Sequence, residues 1–176
     1  MKIIINNAQY LIIKLLGHGK VGYSYLVEKN NKLFVAKKIH HEPCSYYTFG
    51  NKLQSEINDY NTLKKINITV PTLLEIDYEN EIILKEYIEG ETIDYYVLNN
   101  KMKEVYYNQI KDICTILYKN NLNIDYYPTN FVVQNDILYY IDYECNVYSN
   151  EWNFENWGIK YWYKTIEFSK NFKKRA

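Results

Sequence analysis

The segment Asn123-Ile124-Asp125-Tyr126-Tyr127-Pro128-Thr129-Asn130-Phe131, followed by Ile141-Asp142-Tyr143-Glu144, concentrates oxygen-bearing side chains on short turns beside two predicted strands. An Asp, an Asn and a second Asp in that arrangement can converge on a metal-bound phosphate. Mg²⁺ suits such a set, because it prefers hard oxygen ligands and takes one or two protein carboxylates plus phosphate oxygens and water. The chemistry implied is phosphoryl transfer. Taken singly, Asp125 and Asn130 are ordinary turn formers and Asp142 a strand-end cap. Only company and order can raise them above that.

The elements that must carry these residues read from periodicity. Strands are predicted at Ile3 to Ile5, Tyr10 to Leu16, Tyr23 to Glu28 and Leu33 to Ile39, with turns at Asn6-Asn7 and Asn30-Asn31, which makes an antiparallel meander. From Phe49 to Ile66 the positions Leu53, Ile57, Tyr60, Leu63 and Ile66 repeat every three to four residues, predicting a helix with one buried stripe. Two more strands follow, Leu73 to Tyr78 and Glu81 to Ile88. Tyr106, Ile110, Ile113 and Leu117 line a second helix, and Phe131 to Ile141 reads as a hairpin turning at Asn135-Asp136. The remainder, with Trp152, Trp157 and Trp162, is expected to form one or two helices closing the core.

Composition bounds the rest. A chain of 176 residues, 47% of them apolar, fits one globular domain able to bury a core without a staple. Lys plus Arg (21) balance Asp plus Glu (21), so net charge gives no argument for nucleic acid or an anionic membrane. Cys44, Cys114 and Cys145 are far apart and in no paired spacing, as expected of reduced cytosolic thiols. No signal peptide or apolar span is visible, and the expected location is cytoplasmic. His18, His40 and His41 show no Cys or carboxylate partner at metal-binding spacing, and each reads as a surface side chain. The basic tail Lys170, Lys173, Lys174 and Arg175 reads as a solvated terminus.

Gly17-His18-Gly19-Lys20-Val21-Gly22 is a Gly-x-Gly-x-x-Gly run, weak by itself. A dinucleotide-binding version would open a helix, whereas this one leads into the strand Tyr23-Ser24-Tyr25-Leu26-Val27. A glycine turn between antiparallel strands resembles the flap over the ATP phosphates in protein kinases. Val35-Ala36-Lys37-Lys38-Ile39 matches the Val-Ala-x-Lys strand of that family, which makes Lys38 the phosphate lysine. Lys37 is its rival, but the Ala-x-Lys register and two-residue alternation favour Lys38. Glu56, on the following helix, is the carboxylate that would position it. Leu84-Lys85-Glu86-Tyr87-Ile88-Glu89-Gly90 resembles the hinge, with backbone groups of Glu86 and Ile88 meeting an adenine edge. Lys85 stands where the family usually has an apolar residue.

By the same resemblance Asp125 is the catalytic-loop Asp, acting on the attacking hydroxyl, while Asn130 and Asp142 hold Mg²⁺. The family's His-Arg before that Asp is replaced by Asn123-Ile124, and Asp-Phe-Gly by Asp142-Tyr143-Glu144, closer to the Ile-Asp-Phe/Trp-Glu of aminoglycoside and choline phosphotransferases. No Ala-Pro-Glu signature follows. The chain thus resembles a miniature, atypical kinase of the Rio or Bud type, or a compact bacterial kinase-like protein. The resemblance implies an α+β, bilobal fold, with an antiparallel N-lobe over 1–88 and a reduced, mainly helical C-lobe over 89–176. It implies ATP and Mg²⁺ as cofactors, and transfer of phosphate to an alcohol group of a protein or small molecule. Two other readings stay open: a nucleotide-binding pseudokinase or scaffold that needs a protein partner to complete the substrate site, and a small-molecule kinase.

Overall fold

In the computed structural model, residues 1–43 and 50–173 are described; Phe49, Cys44, Lys174 and Arg175 lie outside them. The fold is α+β. The chain divides into two compact units, the first formed by Met1–Asn58 and Pro71–Tyr87, the second by Asp59–Val70 and Ile88–Ala176. The second half of the first helix and the segment up to Val70 therefore group with the C-terminal residues.

The first unit is built on six antiparallel strands: β1 (Lys2–Ile5), β2 (Ala8–His18), β3 (Gly22–Lys29), β4 (Lys32–Ile39), β5 (Leu73–Asp77) and β6 (Ile82–Glu86), in the order β1-β2-β3-β4-β6-β5. Its hairpins are dictated locally. Asn6 and Asn7, then Asn30 and Asn31, all adopt positive φ, the geometry of a two-residue turn whose twist matches that of the flanking strands. Asn tolerates this conformation better than most residues. One face of the sheet buries Ile5, Tyr10, Val27, Ala36, Ile82 and Leu84 as a cluster. The helix α1 (Lys52–Lys65) begins in this unit, where its buried positions Lys52, Leu53, Glu56 and Ile57 recur at helical spacing.

The glycine turn sits between β2 and β3. Gly22 is held there by contact, since an added Cβ would lie 2.5 Å from the backbone oxygen of Lys38. Gly17 and Gly19 differ, for neither has an atom within 4 Å of a Cβ position, and neither has positive φ. Gly22→Ala is therefore expected to cost about 1–3 kcal/mol, as overpacking does. Gly17→Ala and Gly19→Ala should stay within about 0.5 kcal/mol of the parent. Urea midpoints measured on the three variants check this; equal losses would show that packing explains all three glycines.

The second unit contains α2 (Ile93–Leu98) and α3 (Glu104–Lys119), then α4 (Ile166–Lys173). A three-stranded sheet runs β10-β9-β7, from β7 (Glu91–Thr92), β9 (Phe131–Gln134) and β10 (Ile137–Tyr140). A two-stranded ladder pairs β8 (Leu122–Ile124) with β11 (Cys145–Val147). Buried Tyr106, Ile110, Ile113, Cys114 and Leu117 carry α3 into the core. The β9–β10 turn again uses two positive-φ residues, Asn135 and Asp136. The Trp-rich remainder forms a π-helical turn (Phe154–Gly158) and a 3-10 turn (Ile159–Tyr161) before α4. Trp162 is fully buried, whereas Trp152 is half exposed. No helix among the described residues is long and apolar enough to cross a membrane.

Candidate active site

Glu56 lies on the buried stripe of α1, and its Oε1 pairs with the Nζ of Lys37, the neighbour of the expected Lys38. Both members are buried, Lys37 at 8% and Glu56 at 5% exposure, while Lys38 is exposed. Strand alternation accounts for the shift. Val35, Lys37 and Ile39 share one face of β4, and Ala36 and Lys38 the other, where Ala36 enters the cluster around Tyr10 and Leu84. The helix carrying Glu56 meets the Lys37 face. Lys85, directly opposite Val35 on β6, shares that face and is also buried.

A buried ion pair is expensive, because desolvating two charges offsets most of their attraction. Here the second carboxylate oxygen of Glu56, Oε2, is buried with no hydrogen-bond partner. A buried acceptor without a partner is rare in folded proteins and calls for an explanation. Lys52, four residues earlier on the same helix, donates to the carbonyls of Lys20, at 3.3 Å, and His40, at 2.6 Å, so α1 also anchors the glycine turn.

At the hinge segment, the Glu86 N–H donates to the Thr72 carbonyl at 2.9 Å, and the Glu86 carboxylate accepts the Thr72 N–H at 3.0 Å. That fixes the end of β6 against the start of β5. The adenine-edge expectation for Glu86 thereby narrows to its carbonyl. Ile88 is buried in the second unit.

The second unit brings Asp125, Asn130 and Asp142 together. Asp125 Oδ1 accepts the Tyr127 N–H at 3.0 Å, closing an Asx turn, and the Asn130 side-chain amide donates to the Asp125 carbonyl at 3.3 Å. The Asn130 carbonyl in turn accepts the Ile141 N–H at 2.9 Å, which ties the Asp125–Asn130 turn to the residue preceding Asp142. Asp142 Oδ1 accepts the Tyr143 N–H at 3.0 Å. Partial desolvation raises the Asp125 carboxyl above the ordinary range although the side chain reaches solvent; the Tyr127 and Asn130 hydrogen bonds oppose the shift, and the charges of Asp142 and Glu144 add to it. Crowded acids of this kind are relieved by a cation. Two carboxylates and an amide oxygen form a hard donor set, so the residues present fit Mg²⁺.

What holds this turn was not among the expected site residues. Tyr126 is fully buried, its hydroxyl donates to Asn123 Oδ1 at 3.1 Å, and its carbonyl accepts the Trp162 indole N–H at 2.8 Å. Asn123, itself buried, thus fastens the turn through Tyr126. The clue in the sequence was Trp162 itself, since a buried indole needs an acceptor. Behind Asp142, Tyr143 packs on Tyr60 with ring centroids 4.9 Å apart, and Asp59 accepts the Cys145 N–H at 3.3 Å. A cavity of about 510 Å³ in this unit, lined by residues including Tyr96, Tyr106 and Asp136, includes none of the three.

No family model matches the chain. Over 64 residues it is 34% identical to the EKC/KEOPS complex subunit bud32 of Dictyostelium discoideum, a stretch covering 36% of this chain and 25% of that protein. The relationship it supports is kinase-like. It reaches no closer, because the match spans only a quarter of that relative's length.

Proposed function

We propose that this chain is an ATP- and Mg²⁺-dependent phosphotransferase of the atypical kinase kind, acting on an alcohol group. The observation that carries the reading is the buried Lys37–Glu56 pair. An apolar pair of similar volume would serve stability as well or better, so retention of two desolvated charges speaks for a task beyond packing. Lys37, rather than Lys38, is the phosphate lysine in this proposal, and Glu56 positions it.

The other roles follow the chemistry of each group. Gly17 and Gly19, which packing does not require, leave room for phosphate oxygens to approach backbone amides. The Glu86 carbonyl and Ile88 amide meet the purine edge. Asn130 and Asp142 hold Mg²⁺, which when bound offsets the phosphate charge. Asp125 orients the acceptor hydroxyl and receives its proton. The 64-residue similarity supports the same reading. A second reading is a nucleotide-binding module that works only with a protein partner. It is favoured by one observation, that the similar protein is by name a subunit of a complex.

The test is thermal stability with ATP, with and without Mg²⁺, followed by labelled-phosphate transfer. At a hundredfold excess of ligand over Kd the folded state gains about 2.7 kcal/mol, a readily seen shift in Tm. Asp142→Asn is expected to remove most of the Mg²⁺ dependence while ATP alone still binds. No shift with nucleotide would sink both readings. A Mg²⁺-dependent shift without transfer, autophosphorylation included, selects the partner-dependent module.

A further inference from the structure

His18 is distant in sequence from His40 and Glu42, yet one ligand atom from each of the three lies within 4.8 Å of the others. All three belong to the first unit. The strand register brings them together. His18 pairs with Tyr23 across β2 and β3, Tyr23 pairs with Lys38 across β3 and β4, and His40 follows just beyond the end of β4. His18 stacks on Tyr23 with centroids 4.3 Å apart and planes 3° from parallel. His40 approaches both rings, at 5.2 Å from His18 and 5.3 Å from Tyr23.

Hydrogen bonds orient His40 and Glu42. The Nε2–H of His40 donates to the Gly19 carbonyl at 2.8 Å, which leaves Nδ1 as the nitrogen with a lone pair. Metal-bound histidines characteristically spend their other N–H in this way, which fixes tautomer and ring orientation. Nδ1 now accepts the Glu42 N–H at 3.2 Å, a long bond that a cation would displace. Glu42 Oε1 accepts the Tyr23 hydroxyl at 2.6 Å, and Oε2 lies 3.4 Å from His18 Nε2. Tyr23 therefore orients the carboxylate while its other oxygen faces the imidazole. His41, next along the chain, turns instead to Glu81 at 2.6 Å.

We propose that His18, His40 and Glu42 form a binding site for a borderline divalent cation of the Zn²⁺ class. Two imidazoles and one carboxylate suit Zn²⁺ and its transition-metal neighbours, not the all-oxygen preference of Mg²⁺, and three protein ligands leave a coordination position open. The site is separate from the Asn130 and Asp142 donors, so it goes beyond the phosphotransferase reading. Because His18 lies in the glycine run and His40 beyond β4, a bound cation would pin the glycine turn to the end of that strand.

The experiment uses the full chain, stripped of metal with a chelator. Zn²⁺ is titrated calorimetrically, Co²⁺ is followed by its visible absorption, and Mg²⁺ is the control. One Zn²⁺ per chain is expected, with imidazole-type Co²⁺ bands and no response to Mg²⁺. His18→Ala, His40→Ala and Glu42→Gln should each weaken Zn²⁺ at least 10–100-fold, the loss known even for supporting residues of metal sites. His41→Ala and Cys44→Ser should leave it unchanged. Circular dichroism verifies that the surface variants remain folded. The proposal is overturned if the parent chain takes up no Zn²⁺, if the three variants bind like the parent, or if Cys44→Ser alone removes the site. None of these outcomes depends on nucleotide, so a failure here leaves the phosphotransferase test independent.

Discussion

Glu56→Ala lowers the unfolding free energy by about 3–5 kcal/mol, the loss expected when one member of a buried ion pair is removed. Lys38→Ala, only one position from the paired lysine but on the exposed face, shifts it by no more than about 0.5 kcal/mol. Chemical denaturation of the two variants measures both. The double variant Lys37→Met/Glu56→Leu then recovers most of the loss, because apolar side chains of similar volume remove both desolvation costs together. That double variant should nevertheless lose the ATP-induced rise in Tm. Recovered stability with unchanged ATP binding would remove Lys37 from the proposed nucleotide site. A Glu56→Ala loss no larger than that of Lys38→Ala would show that the pair is of little consequence even for folding.

Asp125→Asn lowers labelled-phosphate transfer by about 10²–10⁴-fold, the contribution typical of a positioned general acid or base. Asn keeps an oxygen able to accept the Tyr127 N–H, so the turn through Asn130 persists and the thermal shift with ATP and Mg²⁺ is retained. The expected pattern is a fall in kcat at nearly constant nucleotide affinity. Transfer at the parent rate would overturn the assignment of Asp125. A parallel collapse of ATP binding and Tm would mean that the side chain acts by holding the turn, not by handling a proton.

The hairpins were legible in the sequence because their turns are locally determined. Paired Asn residues take positive φ readily, and the flanking residues are strand formers. The α3 helix was legible for a similar reason, since Tyr106, Ile110, Ile113 and Leu117 mark a single stripe. The short α2 and β7 left no such trace; six and two residues give too few turns or alternations for periodicity to register. The Lys37 pairing was hidden for a different reason. Both faces of β4 are buried at Val35 and Ala36, so alternation alone does not tell which lysine meets Glu56. Only the helix crossing one face decides it. The approach of His18 to His40 and Glu42 was likewise invisible, because it arises from strand register and not from spacing along the chain.

The indole of Trp162 holds the carbonyl of Tyr126 from 36 residues further along the chain. A polypeptide emerging from the ribosome presents its N-terminal part first, and domains generally fold as they emerge. The six strands of the first sheet end at Glu86, so that sheet is complete in sequence while the clasp on the Asp125 turn is still unsynthesised. A nascent chain halted before Trp162 would therefore carry the Lys37–Glu56 pair without the indole clasp on the Asp125 turn. Any phosphotransfer that depends on the clasped Asp125 turn would then wait until Trp162 has been made.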